Sequence, residues 1–267
     1  MEAVNSMLDV NPLMKLESAS IRSGQTQIID RINWNIYPGD TWIISGFHAS
    51  GKTGLLKAAA GLKQIISGKH TLFGKNYWEC TDEEMVKIRR QIAFVFEYPS
   101  QLMAHLTVGE NIAFPICYHE NKTLRELDSD VQGLLDYLEI QSISNRYPVE
   151  VNIFQKYLLL IGQGLFLKPK LFFIDNPLNG LDPLQKNRIK RLIYQMSSGI
   201  EKLGIPPITV IISTSELNNF LVNKPEFINL KYGILTNKEF HIFEGNQKNE
   251  MRANSMIKEL LGERRES

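Results

Sequence analysis

Two stretches of the chain carry side chains of the type and spacing that phosphate chemistry needs. The first is GFHASGKT, Gly46 to Thr53, which fits the pattern G-x-x-x-x-G-K-[ST]. Glycines at 46 and 51 let the backbone curl so that successive N–H groups face phosphate oxygens, and a helix starting there adds its positive end. Lys52 is placed to reach the β- and γ-phosphates of a nucleoside triphosphate, and the Thr53 hydroxyl to ligate Mg²⁺. The whole cradle is Gly46, Phe47, His48, Ala49, Ser50, Gly51, Lys52 and Thr53. His48 occupies a variable position of the motif and reads as a solvated side chain. The second stretch is FFIDNPLNGLD, residues 172 to 182, where an apolar run delivers Asp175 to its tip. A carboxylate there holds the Mg²⁺ water shell if its strand lies beside that of the loop; a lone buried-strand Asp could instead cap a helix. The next residue is Asn176, whose amide accepts no proton near neutrality and so orients a water without acting as a general base.

The elements that must position these residues are legible from periodicity. TWIIS is a short apolar run ending at Gly46, and TGLLKAAAGL follows as a helix of strong formers, so the loop sits between strand and helix. Before it, Met14 to Ile36 reads as strands with one wet face, because Ile32, Trp34 and Ile36 alternate with Arg31, Asn33 and Asn35; Pro38-Gly39-Asp40 then forces a turn. After Gly68 come KHTLFG, a charged helix whose Thr81 and Glu84 suit a capping box, and the strand-like QIAFVF. From Glu97 to about Gln155 the apolar residues fall at helical spacing, as an inserted helical region. KLFFID and ITVIIS then flank a charged helix, the strand-helix-strand order of a parallel sheet. Glu250 to Ser267 reads as an amphipathic helix or frayed tail.

Bulk properties bound what such a site serves. The 267 residues are 43% hydrophobic and 22% charged, enough for a full globular core. Lys plus Arg at 30 against Asp plus Glu at 29 leaves a formal charge of +1, so no global field recruits nucleic acid or an anionic membrane, and phosphate binding is local. Cys80 and Cys117 form neither a disulfide framework nor a zinc site, which fits a reducing, cytoplasmic setting. The start, MEAVNSMLDV, does not read as a secretory signal, and no apolar stretch is long enough to span a bilayer, so direct membrane insertion is not expected.

GFHASGKT, LTVGENIAFPI (Leu106 to Ile116), LFFIDNP and NGLD (Asn179 to Asp182), in that order, resemble the ATP-binding subunit of an ABC transporter over about Met14 to Gly245. LTVGENIAFP and NGLDP are most similar to the ATPases of Mla/Mce-type lipid transporters. A small-molecule kinase would share the loop but not LTVGEN or NGLD. The resemblance implies an α/β fold of the P-loop NTPase (RecA-like) type with an antiparallel β subdomain and an inserted helical subdomain. Its core would be 1–96 and 167–245, its helical part 97–166, and its C-terminal helix or tail 246–267. It implies ATP and Mg²⁺ as ligands, and an integral membrane permease that holds the chain at the cytoplasmic face. A second ABC ATPase chain, the same or different, completes the assembly, with each ATP between the phosphate loop of one subunit and the signature LSGGQ of the other. Lipid or another hydrophobic cargo would be moved.

On that template the positions nearest the γ-phosphate have changed. The glutamate after the Mg²⁺ aspartate is Asn176, the switch histidine falls on Ser215, the Q-loop glutamine on Glu97, and the signature becomes VNIFQ, Val151 to Gln155. A missing general base is worth about 10² to 10⁴ in rate. Ser215 carries no proton that titrates near neutrality. Asn152, Ile153 and Phe154 bring bulk where small residues let backbone N–H groups approach phosphate, and each donor lost costs about 10² to 10³. Both kinds of loss lie on one chain, so a homodimer and a heterodimer with an intact partner would each have two impaired sites. Hydrolysis is therefore expected to be very slow or absent, unless Glu97 supplies the carboxylate. Phe154, Leu158, Ile161 and Leu165 mark one apolar stripe on the helix after the signature. The aromatic that would stack on adenine is absent near SIRSG; Arg22 either stacks its guanidinium there or is a solvated turn residue. Leu102, Met103, Leu106, Ile112 and Phe114 suit either a permease-docking groove or subdomain core. A soluble interaction module without a permease is the remaining alternative.

Overall fold

The computed structural model describes residues 11–244 except 24–25, 47–48, 100, 121, 216, 218–219, 221–228 and 237–238, and at 23, 26–28 and 244 it describes the backbone alone. The expected C-terminal helix or tail, 246–267, lies outside the described residues.

Strand β1 (Met14–Ser23) pairs antiparallel with β2 (Thr26–Ile36) and with β4 (Ser67–Leu72), which pairs with the short β5 (Lys75–Asn76), in the order β2-β1-β4-β5. The wet-face alternation holds: Ile32, Trp34 and Ile36 are buried while Arg31 and Asn33 are exposed. Trp34 stands edge-on to Trp42, 5.4 Å between ring centroids, and so ties this sheet to β3 (Thr41–Gly46).

Strand β3 belongs to the second sheet, with β6 (Ile92–Val95), β7 (Leu171–Ile174), β8 (Thr209–Thr214), β9 (Leu230–Leu235) and β10 (Phe240–Glu244), in the order β10-β9-β3-β8-β7-β6. Only β10 runs antiparallel to its neighbour. Helices cover the sheet, so β7 and β8 are buried on both faces, as their unbroken apolar runs require. β3 and β7 each flank β8, which brings the ends of the two chemically loaded stretches to one edge of the sheet.

Helix α1 (Lys52–Ala59) follows β3, and α2 (Asp82–Arg89) begins on the Thr81–Glu84 capping box. Between β6 and β7 lie α3 (Val108–Glu120), α4 (Leu124–Leu138) and α5 (Ile153–Phe166), and α6 (Pro183–Ser198) links β7 to β8. On helix α5 the apolar stripe is buried, with Leu158, Ile161 and Leu165 in the core and Phe154 packed against it, and Tyr157, Leu159, Leu160 and Gly162 are buried beside it. The helix is packed by α3 and α4 on one flank and by β6 on another, so almost no polar face remains. Ile112 is core, fully buried, whereas Met103 and Phe114 line a surface hollow of about 280 Å³ with Tyr118 and Leu160.

Candidate nucleotide site

Strand β3 ends at Gly46 because nothing larger fits: a Cβ there would fall 2.3 Å from the Leu235 carbonyl oxygen and 2.9 Å from Ser50 Oγ. Gly51, at φ +101°, makes the second bend in a region that L side chains avoid. It is also the N-cap of α1, and it offers no side chain to the first turn, which holds no acidic residue either. The helix thus opens with its N–H groups and positive end available to an anion. Lys52, 8% exposed, donates from its ammonium to the Gly46 carbonyl at 2.8 Å. Burial pushes its pKa below the ordinary lysine value, and the charges of Asp175 and Glu97 pull it partly back. Ser50 Oγ is buried and has no hydrogen-bond partner among the described residues, an orphan that a phosphate oxygen would satisfy.

Facing this cradle is the end of β7. Asp175 is 2% exposed, and its Oδ1 accepts the Ser213 hydroxyl from β8. It is not a helix cap: that role at α6 belongs to Asp182, which accepts from Leu184 N and Gln185 N. Asn176 takes φ +47°, a left-handed conformation its short side chain tolerates, and its N–H donates to Ser213 Oγ at 3.0 Å. Its side-chain Nδ2 donates to Glu97 Oε1 at 2.6 Å, and Asn179 Nδ2 donates to the same oxygen at 3.0 Å. The opposite amide orientation would set oxygen against a carboxylate, so charge fixes which way both amides point. From α5, Tyr157 donates its hydroxyl to the Glu97 backbone carbonyl; burial, reinforced by the charge of Glu97, pushes that phenol up to about 12.

A cleft of about 460 Å³ joins these groups, lined by residues 49–54, Lys57, Lys63, Glu97, Asp175, Asn176, Ser213 and Ser215. Thr53 and Asp175 both face it, and they fit a Mg²⁺ that takes its other ligands from phosphate and water. Among the described residues no cluster of three or more His, Cys, Asp or Glu forms an all-protein metal cage. A larger hollow of about 690 Å³, between α4 and α6, contains none of these groups.

Glu97, Asp175, Asn176 and Ser215, expected from sequence, thus meet the phosphate loop in one place. Arg22 does not: it is exposed at the end of β1, opposite Gln27, and is not part of the cleft lining. Phe47 and His48 lie outside the described residues. Val151 to Gln155 do not line the cleft of their own chain. Asn152 caps α5, accepting Gln155 N at 2.9 Å and donating its own N–H to Gln155 Oε1 at 3.0 Å, while Ile153 is 43% exposed beside it. Sequence reasoning missed Ser213, Asn179 and Tyr157. Ser213 lies two residues before the expected switch position, and only the parallel pairing of β7 with β8, Ile174 opposite Ile212, reveals it.

The family model for ABC transporters matches residues 29–179, more than half of the 267. The chain belongs to the ABC transporter family. Its relatives include the sulfate/thiosulfate import ATP-binding protein CysA of Escherichia coli K12, 29% identical over 189 residues. CysA of Photorhabdus laumondii is 27% identical over 186 residues, and each of these matches covers 68% of this chain and 50% of the relative. The chain therefore spans about half the length of the CysA relatives it matches. The ABC transporter ATP-binding protein YmeB of Lactococcus lactis is 26% identical over 206 residues, covering 75% of this chain and 76% of YmeB.

Among solved structures, cbiO1 of Clostridium perfringens, part of the ABC transporter complex cbiONQ, superposes with a TM-score of 0.74 at 23% identity and 96% coverage of both chains. A dimeric ATP-binding cassette in a post-hydrolysis state with ADP and Pi gives a TM-score of 0.74 at 23% identity, covering 87% of this chain and 99% of that one. At these identities the likeness shows the fold, and the ABC ATPase fold with its P-loop core agrees with the sheet order above. Among the described residues of this ABC family member, no helix is long and apolar enough to cross a membrane.

Proposed function

We propose that this chain is the nucleotide-binding subunit of a membrane ABC transporter complex that binds Mg-ATP and hydrolyses it very slowly or not at all, as a structural or regulatory half of the ATPase dimer. One observation carries the reading: the cradle is open to phosphate, whereas Glu97 Oε1 is held by two amide donors and Asn176, next to Asp175, is no base.

The γ-phosphate end of a triphosphate would meet Lys52, the N–H groups at the start of α1 and Ser50 Oγ. The Thr53 hydroxyl and Asp175 would hold Mg²⁺, which neutralises phosphate charge. Ser213 fixes the rotamer of Asp175, and Asn176 orients water near the phosphate without taking its proton. With proton transfer unassisted, nucleotide acts as glue between subunits, and closure draws on binding energy alone.

The permease would dock at the hollow where Met103, Phe114 and the 77%-exposed Tyr118 gather. The finer reading of a lipid or other hydrophobic cargo rests on LTVGENIAFP and NGLDP, while the CysA relatives are named for sulfate and thiosulfate import. A second reading keeps the chain an active ATPase with Glu97 as base, and the observation favouring it is that Glu97 lines the cleft with Asp175. Purification of the native complex from membranes, with identification of its chains, tests the assignment. A co-purifying permease and ATPase partner are expected, and the permease type separates hydrophobic from anionic cargo. Recovery only from the soluble fraction, without either, would mean a free interaction module.

A further inference from the structure

The Glu97 carboxylate is placed with unusual care for a residue at a strand end. Asn176 and Asn179, from the segment after β7, both donate to Oε1, and Tyr157 of α5 holds its backbone carbonyl. The carboxylate lines the nucleotide cleft and acts on Lys52 together with Asp175, so both negative charges face the same ammonium. A triphosphate entering without a cation meets two carboxylates, and the same two attract it once a divalent ion accompanies it.

We propose that Glu97 is the second carboxylate of the nucleotide cleft, that Asn176 and Asn179 are its positioning residues, and that it makes nucleotide binding depend on a divalent cation more steeply than Asp175 alone would. The proposal rests on the reading that the cleft takes Mg-ATP. Acid and amide form a couple in which the carboxylate sits at the end of β6 and the amide after β7. What the cleft requires is one of each, so the two members are exchangeable. Two carboxylates in those places would meet at the 2.6 Å contact now bridged by an N–H.

The test is an isosteric cycle on the full chain: wild type, Glu97→Gln, Asn176→Asp and the double exchange. ATP affinity is measured by calorimetry in EDTA and in excess Mg²⁺, and melting temperature is measured without nucleotide. Glu97→Gln should bind ATP about tenfold more tightly in EDTA, and its gain from Mg²⁺ should shrink by the same factor. Asn176→Asp should bind about tenfold more weakly in EDTA and melt about 5 °C lower. The double exchange should return both quantities towards wild type, with affinity within about threefold. A purely structural pair would restore the melting temperature and leave the Mg²⁺ gain unmoved throughout. An unchanged Mg²⁺ gain in Glu97→Gln, or a double variant no closer to wild type than Asn176→Asp, would overturn the proposal. Failure of all four proteins to bind ATP would defeat the nucleotide reading and the metal part of the proposal with it. The melting temperatures would still judge the couple.

Discussion

Helices α1 and α5 both begin at stretches that the resemblance to ABC ATPases would set against nucleotide, and they begin in opposite ways. α1 opens on Gly51, with no side-chain cap and no acid in its first turn. α5 opens on Asn152, whose side chain and that of Gln155 close a reciprocal box over the first turn. The rest of the chain shows which is the rule, since α2, α3 and α6 also start on reciprocal caps, from Thr81 with Glu84, Thr107 with Glu110 and Asp182 with Gln185. A cap at a helix start contributes about 1 kcal/mol, so omitting it at α1 costs stability that ligand binding can recover. The open helix is the one built to meet an anion. The capped α5, with Ile153 and Phe154 in its first turn, closes its own start.

The sharpest way to break this contrast is Lys52→Ala. It should lower Mg-ATP affinity at least about 100-fold in a calorimetric titration while leaving the melting temperature without nucleotide nearly unchanged. At the far end of α1, His70 is fully buried against the Ala59 carbonyl, 3.2 Å from Nε2, and burial pushes its pKa down to about 4. The folded state therefore binds fewer protons than the unfolded chain, whose histidine titrates near 6.5. The contribution is complete above about pH 6.5 and is lost as pH falls towards 4, by about 3 kcal/mol in urea denaturation. His70→Gln should flatten that dependence. Asn152→Ala should cost about 1 kcal/mol of stability and leave Mg-ATP affinity unchanged; a change in affinity would place the start of α5 on the chain's own nucleotide face. The smallest effect is expected of Ser50→Ala, about a threefold loss of Mg-ATP affinity with stability equal or slightly higher, because a buried unpaired hydroxyl is removed.

Much of this was legible in the residues. The alternation through Ile32, Trp34 and Ile36 and the Thr81–Glu84 box are local signals, and each formed as read, while Gly46 and Gly51 of GFHASGKT stand at the strand end and helix start where the sequence set them. What the sequence could not show depends on strand register and helix packing. Ser213 reaches Asp175 because β8 lies beside β7, and Tyr157 reaches Glu97 because α5 packs against β6. Periodicity locates neither contact. It found the stripe of α5 but not the burial of Leu159, Leu160 and Gly162 beside it, since a 3.6-residue pattern does not distinguish a helix packed on one side from one enclosed by neighbours. Glu97 was visible as a candidate carboxylate, but the two amides that hold it were not, because Asn176 and Asn179 are separated from it by 79 and 82 residues.

The central claim, that the chain grips triphosphate without cutting it, is tested most directly by phosphate release from Mg-ATP, comparing the purified chain with its Lys52→Ala variant. The account predicts equal rates for the two, at the level of the assay's background. Brisk release that disappears with Lys52 would contradict it and mean that Glu97 or another group replaces the base.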